Sequence, residues 1–246
     1  MQQQSLIDVI NNQIADTAHD WDTAFPARII RINSAERLSV DVQMMSYRTD
    51  NDGDITDDVA ILQVPVIFPS TQTAALTLPI NVGDLVLCVC SQTSLDNFKI
   101  QGNSNSTVVN DHRRFSTQDA IAIPGLYPFG LSKNNPQARH FTHDTKSVSL
   151  TGNLGTGLEC RVVLQPDGNI VLETEQAVEM KCKTFDLTAS ESISLTAPQM
   201  NVNVQATNWT GQGYVIGEFT VNNIPMSTHA HTGVTPGSGS TGLPQA

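Results

Sequence analysis

The sequence predicts an all-β protein made of a small barrel followed by an array of short strands. Aromatic residues make up only 5% and charged residues 15% of the 246-residue chain, so uncharged polar residues take their place. This composition suits strands with solvated faces better than a helical bundle, which would be rich in Ala, Leu, Glu and Lys. Apolar and polar residues also alternate with a period of two in two separate regions, which is the signal of half-buried strands.

The barrel is predicted for residues 25–124. Strands with a turn at "NSAER" are predicted in "ARIIRINSAERLSVDVQMMSY", and further strands in "VAILQVPVIFPS", "ALTLPI" and "DLVLCVCSQTSLDNFKI". The turn "NVGD" places Gly83 where a positive φ is expected. About five strands in a hundred residues are typical of a Greek-key barrel of the oligonucleotide/oligosaccharide-binding (OB) type.

Residues 1–24 are predicted to form an attachment segment with one short amphipathic helix. Leu6, Ile10 and Ile14 recur at helical spacing, and Ser5 is the expected N-cap. One short helix is not stable alone. We therefore expect it to dock on a neighbouring element or on a partner chain.

Residues 125–160 are predicted to be a linker or collar, because periodicity is lost and Gly, Pro, Asn and Ser are frequent. One strand is expected there, at "KSVSL". His140 and His143 stand near Asp144, a set that could ligate a metal. No regular element is predicted to hold these side chains, so a structural or surface role is favoured.

Residues 161–222 are predicted to form a shaft built from a strand repeat. Apolar groups begin at positions 170, 178, 185, 193 and 200, in alternating steps of eight and seven residues. A ribbon of such strands has one apolar face that it cannot cover, so it needs identical neighbours. Three chains wound into an intertwined triple-stranded β-helix would bury these faces and pair the strand edges. A single-chain β-helix or a dimer is also compatible with the repeat.

The charge and the cysteines exclude several functions. A formal charge of −11 repels phosphate backbones and anionic membranes, so no nucleic-acid partner is predicted. No apolar run approaches the roughly 18 residues of a spanning helix, and no export signal is recognised at the N-terminus. The cysteines lack zinc spacing, and Cys88 and Cys90 are predicted to be buried thiols on one strand face of a protein made in a reducing compartment.

The acidic run between residues 50 and 58 has the charge of a calcium site but lacks the EF-hand pattern. Ile55 stands where an EF-hand needs its turn glycine, and Ile61 where it needs its bidentate glutamate, so a solvated loop is favoured.

Paired carboxylates would be expected in a glycosidase or lyase. Glu173 and Glu175 lie two apart on a predicted strand, and Glu191 lies in a turn. Sugar cleavage would also need aromatic side chains in a cleft, and the repeat region offers only Phe185 and Trp209. Solvated faces are therefore favoured, and no catalytic residue is predicted.

Residues 223–246 are predicted to form an apex that contains a metal site. In "THAHTGVTPGSGSTGLPQA", His229 and His231 point the same way if the segment is extended. One chain supplies too few ligands for a closed site, whereas three chains around a threefold axis supply six imidazoles. Six nitrogens suit Fe, Co or Ni, while zinc usually takes four ligands. Two surface histidines in a flexible tail are the alternative.

This order of parts resembles the membrane-piercing central spikes of contractile-tailed bacteriophages. The resemblance extends over nearly the whole chain, and the His-x-His in an uncharged Gly/Ser/Pro tip is its most specific element. It implies a non-enzymatic homotrimer whose OB domains attach to the baseplate hub and tail tube. It also implies that His229 and His231 of the three chains bind one iron ion octahedrally, although another divalent metal would fit.

The same resemblance implies a virion component at the baseplate tip, made in the host cytoplasm, which meets the host outer membrane mechanically. Some relatives carry a lysozyme domain between barrel and shaft, and residues 125–158 are too short to hold one. The alternatives are a receptor-binding or polysaccharide-depolymerising trimeric tail spike, a type VI secretion needle spike, and an OB-fold binding module with a disordered tail.

Overall fold

The computed structural model describes residues 6–19, 21–46 and 59–227. The chain divides into two compact units, Met1–Met180 and Lys181–Ala246, which are described separately below. Within the described ranges the helices and strands are α1 (Leu6–His19), β1 (Ala24–Ser34), β2 (Ser39–Met44), β3 (Ala60–Pro65), β4 (Leu85–Cys90), α2 (Asp96–Ile100), β5 (Ala120–Pro124), β6 (Val148–Gly152), β7 (Cys160–Leu164), β8 (Ile170–Thr174), β9 (Thr220–Val221) and β10 (Ile224–Pro225). The all-β prediction is confirmed at this level.

Strands β1 to β5 form one antiparallel sheet in the order β3–β2–β1–β4–β5. Strand β4 returns after a long connection to lie beside β1, which is a Greek-key arrangement. The two edges of the sheet approach each other where Val66 forms a parallel bridge with Ala122 and the N–H of Ile67 donates to the Ala122 carbonyl at 3.0 Å. The sheet is therefore curled into a half-barrel.

The half-barrel encloses its own apolar core. Along β1, Phe25, Ala27 and Ile29 alternate with exposed residues and point inward. Full burial of a side chain such as that of Ile29 contributes about 1.5–3 kcal/mol relative to exposure. The buried core consists of Phe25, Ala27, Ile29, Val40, Val42, Met44, Ile61, Val64, Val66, Val86, Cys88, Cys90, Ala120 and Ala122.

Two of the predicted strand assignments in the half-barrel were wrong. The segment "ALTLPI" is not a strand; it is joined only by a bridge between Ser70 and Ala75, and its Pro79 has no N–H to donate. The end of "DLVLCVCSQTSLDNFKI" is the short helix α2 rather than strand. The fifth strand is instead β5, which pairs with β4 over its whole length.

Buried Asp41 fixes an irregularity in the neighbouring strand β3. Gln63 has a positive φ of 55°, and its N–H donates to Asp41 Oδ1 at 2.9 Å. Arg31 and Asn33 also donate to this carboxylate. Burial raises the pKa of Asp41, but these hydrogen bonds outweigh it and hold the pKa below its usual value.

Buried Asp119 has a similar role beside β4 and β5. Arg113 donates to both of its oxygens, at 2.7 and 3.1 Å, and the N–H of Leu95 donates to Oδ1 at 2.8 Å. Burial raises the pKa of Asp119, but the hydrogen bonds and the positive charge of Arg113 lower it more. The carboxylate thereby ties the segment before α2 to the end of the half-barrel.

The positive φ predicted for Gly83 and the burial predicted for Cys88 and Cys90 are confirmed. Gly83 has φ of 98° in the turn before β4. Both thiols are free and buried. Burial, with the nearby charge of Cys90, raises the pKa of Cys88 to about 12. Burial, with the negative charges of Asp22 and Asp119, raises the pKa of Cys90 to about 11.

A second sheet follows the half-barrel in the same unit. Strands β6, β7 and β8 form an antiparallel meander. The strand predicted at "KSVSL" is confirmed by β6, and the sheet runs across the predicted boundary at residue 160. The first group of the strand repeat, at position 170, is β8.

In the second unit, the described residues contain one regular element, a tight hairpin of β9 and β10. Asn222 and Asn223 both have positive φ, 49° and 63°, as a type I′ turn requires. The repeat groups that begin at positions 178, 185, 193 and 200 pair with no strand in the described part of their own chain. No helix in the described ranges is long and apolar enough to cross a bilayer.

Candidate functional site

The most distinctive surface of the first unit is one face of the β6–β8 sheet. The antiparallel register brings the even-numbered residues of all three strands onto this face. We call it the collar face. Its three cross-strand rows are Val148–Leu164–Ile170, Leu150–Val162–Leu172 and Gly152–Cys160–Thr174.

The collar face is apolar and is not covered by the described part of its own chain. Leu172, at the end of the middle row, is 60% exposed, and Leu150 is 55% exposed. Such large aliphatic side chains normally stabilise a sheet by being buried, and contiguous apolar patches on a soluble surface mark contacts with other molecules. The face has the properties of an interface without its partner.

The opposite face of the same sheet is covered. Val163 is buried, and Arg161 donates to Glu173 Oε2 through Nη2 at 2.7 Å. The Arg161 guanidinium also lies over the ring of Phe141, 5.3 Å from its centroid. The sheet is therefore fixed on one side within its own chain, which leaves the collar face as the side available to others.

A groove of about 690 Å³ borders the collar face. Residues 77–79 contribute to one part of its lining, and Leu150, Val162 and Leu172 to another. Residues 176–178, where the chain leaves β8, complete it. The groove is predominantly apolar, so an apolar strand or side chain fits it better than a charged ligand does.

A buried carboxylate holds the loops behind the sheet. Glu159 is 1% exposed, and its Oε2 accepts hydrogen bonds from the N–H groups of His140, at 3.0 Å, and Gly155, at 2.7 Å. Burial raises the pKa of Glu159, but these bonds, the N–H of Phe141 and the positive charge of Arg139 lower it further. The charged form is thus the one built into the fold.

His143 is also part of this support. It is 7% exposed, and its Nε2 lies 2.8 Å from Asn134 Oδ1. Burial and the positive charges of Arg139 and Arg161 lower the pKa of His143 below its usual value. A neutral, hydrogen-bonded imidazole agrees with the structural role predicted for it.

The structure gives the predicted carboxylate candidates separate partners. Glu173 pairs with Arg161, whereas Glu175 Oε1 lies 3.0 Å from His140 Nε2. Glu191 is an exposed residue of the second unit. Nothing in these contacts assembles a pair of carboxylates around a common cleft.

The predicted metal ligands His229 and His231 lie outside the described residues, as does the acidic run at 50–58. Within the described ranges, no three His, Cys, Asp or Glu side chains are grouped so that they could hold a metal ion. The metal site therefore stays a prediction.

The second unit exposes the same kind of surface as the collar face. Phe185 is 60% and Leu195 73% exposed, and no apolar side chain is buried in the part of this unit that the structure describes. The alternating exposed residues are Phe185, Leu187, Ile193, Leu195, Met200, Val202 and Val204. Alternation puts such residues on one side of an extended chain, so each segment offers an apolar edge to a neighbour.

The sequence interpretation did not include most of the collar face. The predicted shaft begins at residue 161, and the one strand predicted before it, at "KSVSL", belongs to a linker or collar, so Val148, Leu150 and Cys160 are not assigned there to an apolar surface. The signal was present as period-two alternation in "SVSLTG" and "CRVVL". These stretches are only five or six residues long, and glycine-rich turns separate them.

These features define a class: a mostly β protein with a self-contained half-barrel, followed by strands whose apolar sides are left uncovered by the described part of the chain. Residues 25–125 match the family described as phage protein Gp138 N-terminal domain. The match spans the half-barrel and less than half of the chain. It supports a phage structural protein related to the baseplate, and hence a virion component. No curated protein sequence matches the chain.

Proposed function

We propose that three copies of this chain form a non-enzymatic spike at the tip of a contractile phage tail, which pierces the host outer membrane when the tail contracts. The half-barrels act as OB-type domains that attach the spike to the baseplate hub and tail tube. The strands after them wind into a triple-stranded shaft. The match of residues 25–125 to a phage protein domain supports the proposal.

The uncovered collar face is the observation that carries the proposal. Along the sequence, the strands of this face are followed by a second unit in which alternating apolar residues are exposed. An apolar surface formed by every second residue of its strands is best covered by strands with the same alternation. Identical chains supply such strands. Three chains around an axis also leave no free strand edge, which suits a part that must resist unwinding under load.

The imidazole nitrogens available in the apex sequence are suitable ligands for a metal ion. His229 and His231 would hold the ion, and three chains would provide six imidazole nitrogens, a set that favours a first-row divalent ion such as iron over zinc. When bound, the ion supplies a cross-link among three chains and no reaction. A thin tip of Gly, Ser, Thr and Pro has little apolar surface to bury, so such a cross-link would replace a core there.

The partners of Glu173 and Glu175 favour a structural spike over a sugar-cleaving one. Each carboxylate is engaged by a different cation or imidazole, and the apolar groove beside the collar face lacks the aromatic side chains on which a sugar would stack.

Native mass and metal content test the proposal on the full-length protein. We expect a trimer with about one iron per three chains. His229→Ala combined with His231→Ala should keep the trimer, abolish the metal and lower the melting temperature of the tip. His112→Ala, which removes an exposed imidazole from a loop of the first unit, is the control. It should change neither the metal content nor the melting temperature of the tip. A monomer would contradict the spike, and a metal-free trimer would contradict only the metal site.

A further inference from the structure

The helix α1 presents a second apolar surface, far from the collar face in sequence. Leu6 is 75%, Ile7 70%, Ile10 49% and Ile14 63% exposed. A helix of 14 residues is marginal in water, and its stability normally comes from packing of such a stripe. The stripe therefore requires a partner if α1 is to persist.

We propose that α1 packs against α1 of two further copies as a short parallel three-stranded coiled coil. This inference rests on the proposed trimer and adds a second contact between its chains. Ile7, Ile10 and Ile14 follow the spacing a–d–a of a heptad. Isoleucine at both a and d favours trimers or tetramers, whereas dimers favour leucine at d.

The flanking heptad positions are compatible with identical neighbours. With Ile7 at a, the g positions are Leu6 and Gln13, and the e positions are Asn11 and Ala18. None of them is charged, so identical chains can approach without repulsion across the seam.

The same heptad register assigns the acidic residues of the helix sequence to positions outside the a/d seam. In the same register Asp8 falls at b and Asp16 at c, on the outer side of a coiled coil. A helix that docked on a basic partner would be expected to place its acids beside the apolar stripe instead.

The chain after α1 is held to the half-barrel over a few residues. The rings of Trp21 and Phe115 lie 5.3 Å apart, the N–H of Asp22 donates to the Phe115 carbonyl, and the N–H of Cys90 donates to the Thr23 carbonyl. Only residue 20 separates the helix from this anchor. In a trimer, so short a tether raises the effective concentration of the three helices to the millimolar range. This concentration favours their association although each helix has only 14 residues.

Disulfide cross-linking tests the seam. Full-length protein with Cys160→Ala and Cys182→Ala retains only Cys88 and Cys90, whose thiols are buried. Ile10→Cys in this background places a thiol at d, and Val9→Cys places one at c, a single residue away. Disulfides need Cα atoms within about 7 Å, which d positions of a parallel coiled coil satisfy and c positions do not.

We expect copper-catalysed oxidation to link up to about two of every three Ile10→Cys chains, and few Val9→Cys chains. Ile14→Cys at a, with Asn12→Cys at f as its control, repeats the test should Ile10→Cys disturb the helix. A protein of trimeric native mass in which seam and control positions cross-link equally, or not at all, overturns the coiled coil and leaves the spike standing. A monomeric native mass overturns both.

Discussion

The half-barrel and the second unit of this chain are both predicted by alternating residues, yet they use the alternation differently. In the half-barrel, Val40, Val42 and Val86 are completely buried by strands of the same chain. In the second unit, Phe185 and Leu195 alternate just as regularly and are exposed. The strands of the half-barrel pair with one another, as β1 does with β2, whereas the repeat groups from position 185 onward pair with no strand in the described part of their own chain.

The β6–β8 sheet combines the two situations. Its strands pair within one chain, but its collar face remains uncovered. Hydrogen bonding of these strands is thus satisfied within the chain, whereas burial of the collar face would come from the other copies in the proposed trimer. A mutation can therefore separate the folding of the half-barrel from the association of chains.

The largest effect is expected from Leu172→Asp on the collar face. Association would bury a carboxylate from each chain without a counter-charge, at several kcal/mol each, so trimers should be lost from the native mass spectrum. In a Cys182→Ala background, Cys160 on the same face should also become faster to alkylate, while Cys88 and Cys90 stay protected.

Leu62→Asp is the matched control. Leu62 on β3 is 58% exposed, almost the same as Leu172 at 60%, but it lies on the half-barrel. It should leave the trimer mass intact. Equal loss of trimers in both variants would show that the collar face has no special part in association.

A smaller effect, confined to the half-barrel, is expected from Ile29→Ala. This side chain is fully buried in β1, so truncation should lower the free energy of unfolding of the half-barrel by about 2–5 kcal/mol in urea titrations followed by Trp21 fluorescence. Ile30→Ala, at an adjacent residue that is 39% exposed, should cost about 1 kcal/mol or less. If the two variants unfold alike, the core described for β1 is incorrect.

The smallest effect is expected from acid titration of the half-barrel. The pKa of Asp119 is lowered in the folded state, so its contribution is fully present above the unfolded value of about 3.9 and is lost as pH falls through the folded pKa. The free energy of unfolding should therefore decrease below about pH 4.

Asp119→Asn should weaken the dependence of the free energy of unfolding on acid pH. It should also lower that free energy by roughly 2–3 kcal/mol at neutral pH, because Arg113 loses its buried partner. Asp111→Asn removes a more exposed partner of the same guanidinium and should cost under about 1 kcal/mol. An unaltered acid dependence in the Asp119→Asn variant would contradict the role of this carboxylate.

Strands were predicted correctly from the sequence where a segment of alternating apolar and polar residues also pairs with a neighbouring strand. Strands β1, β2 and β4 follow from alternation, and Gly83 from its turn. The segment 75–80 alternates too but lacks a partner strand, and β5 is too short to give a strong period. Pairing depends on residues distant in sequence, so a local pattern cannot decide it.

The candidate site was only partly predictable for a related reason. The need for neighbours follows from the repeat, whereas the collar face arises from the register of three strands across two turns. Residues such as Asp41 and Asp119 gave no signal of burial in the sequence, because a carboxylate is buried only where distant donors meet it.

The half-barrel is complete once residue 124 has left the ribosome, because its strands need no later segment. Chains fold from the N-terminus during synthesis, so we expect the half-barrel to form within one polypeptide and in first-order fashion. In the proposed trimer, the repeat groups of the second unit would have to wait for other polypeptides, and their maturation should speed up as chain concentration rises. Crowding of nascent chains on one messenger would then favour correct assembly over aggregation of the exposed strands.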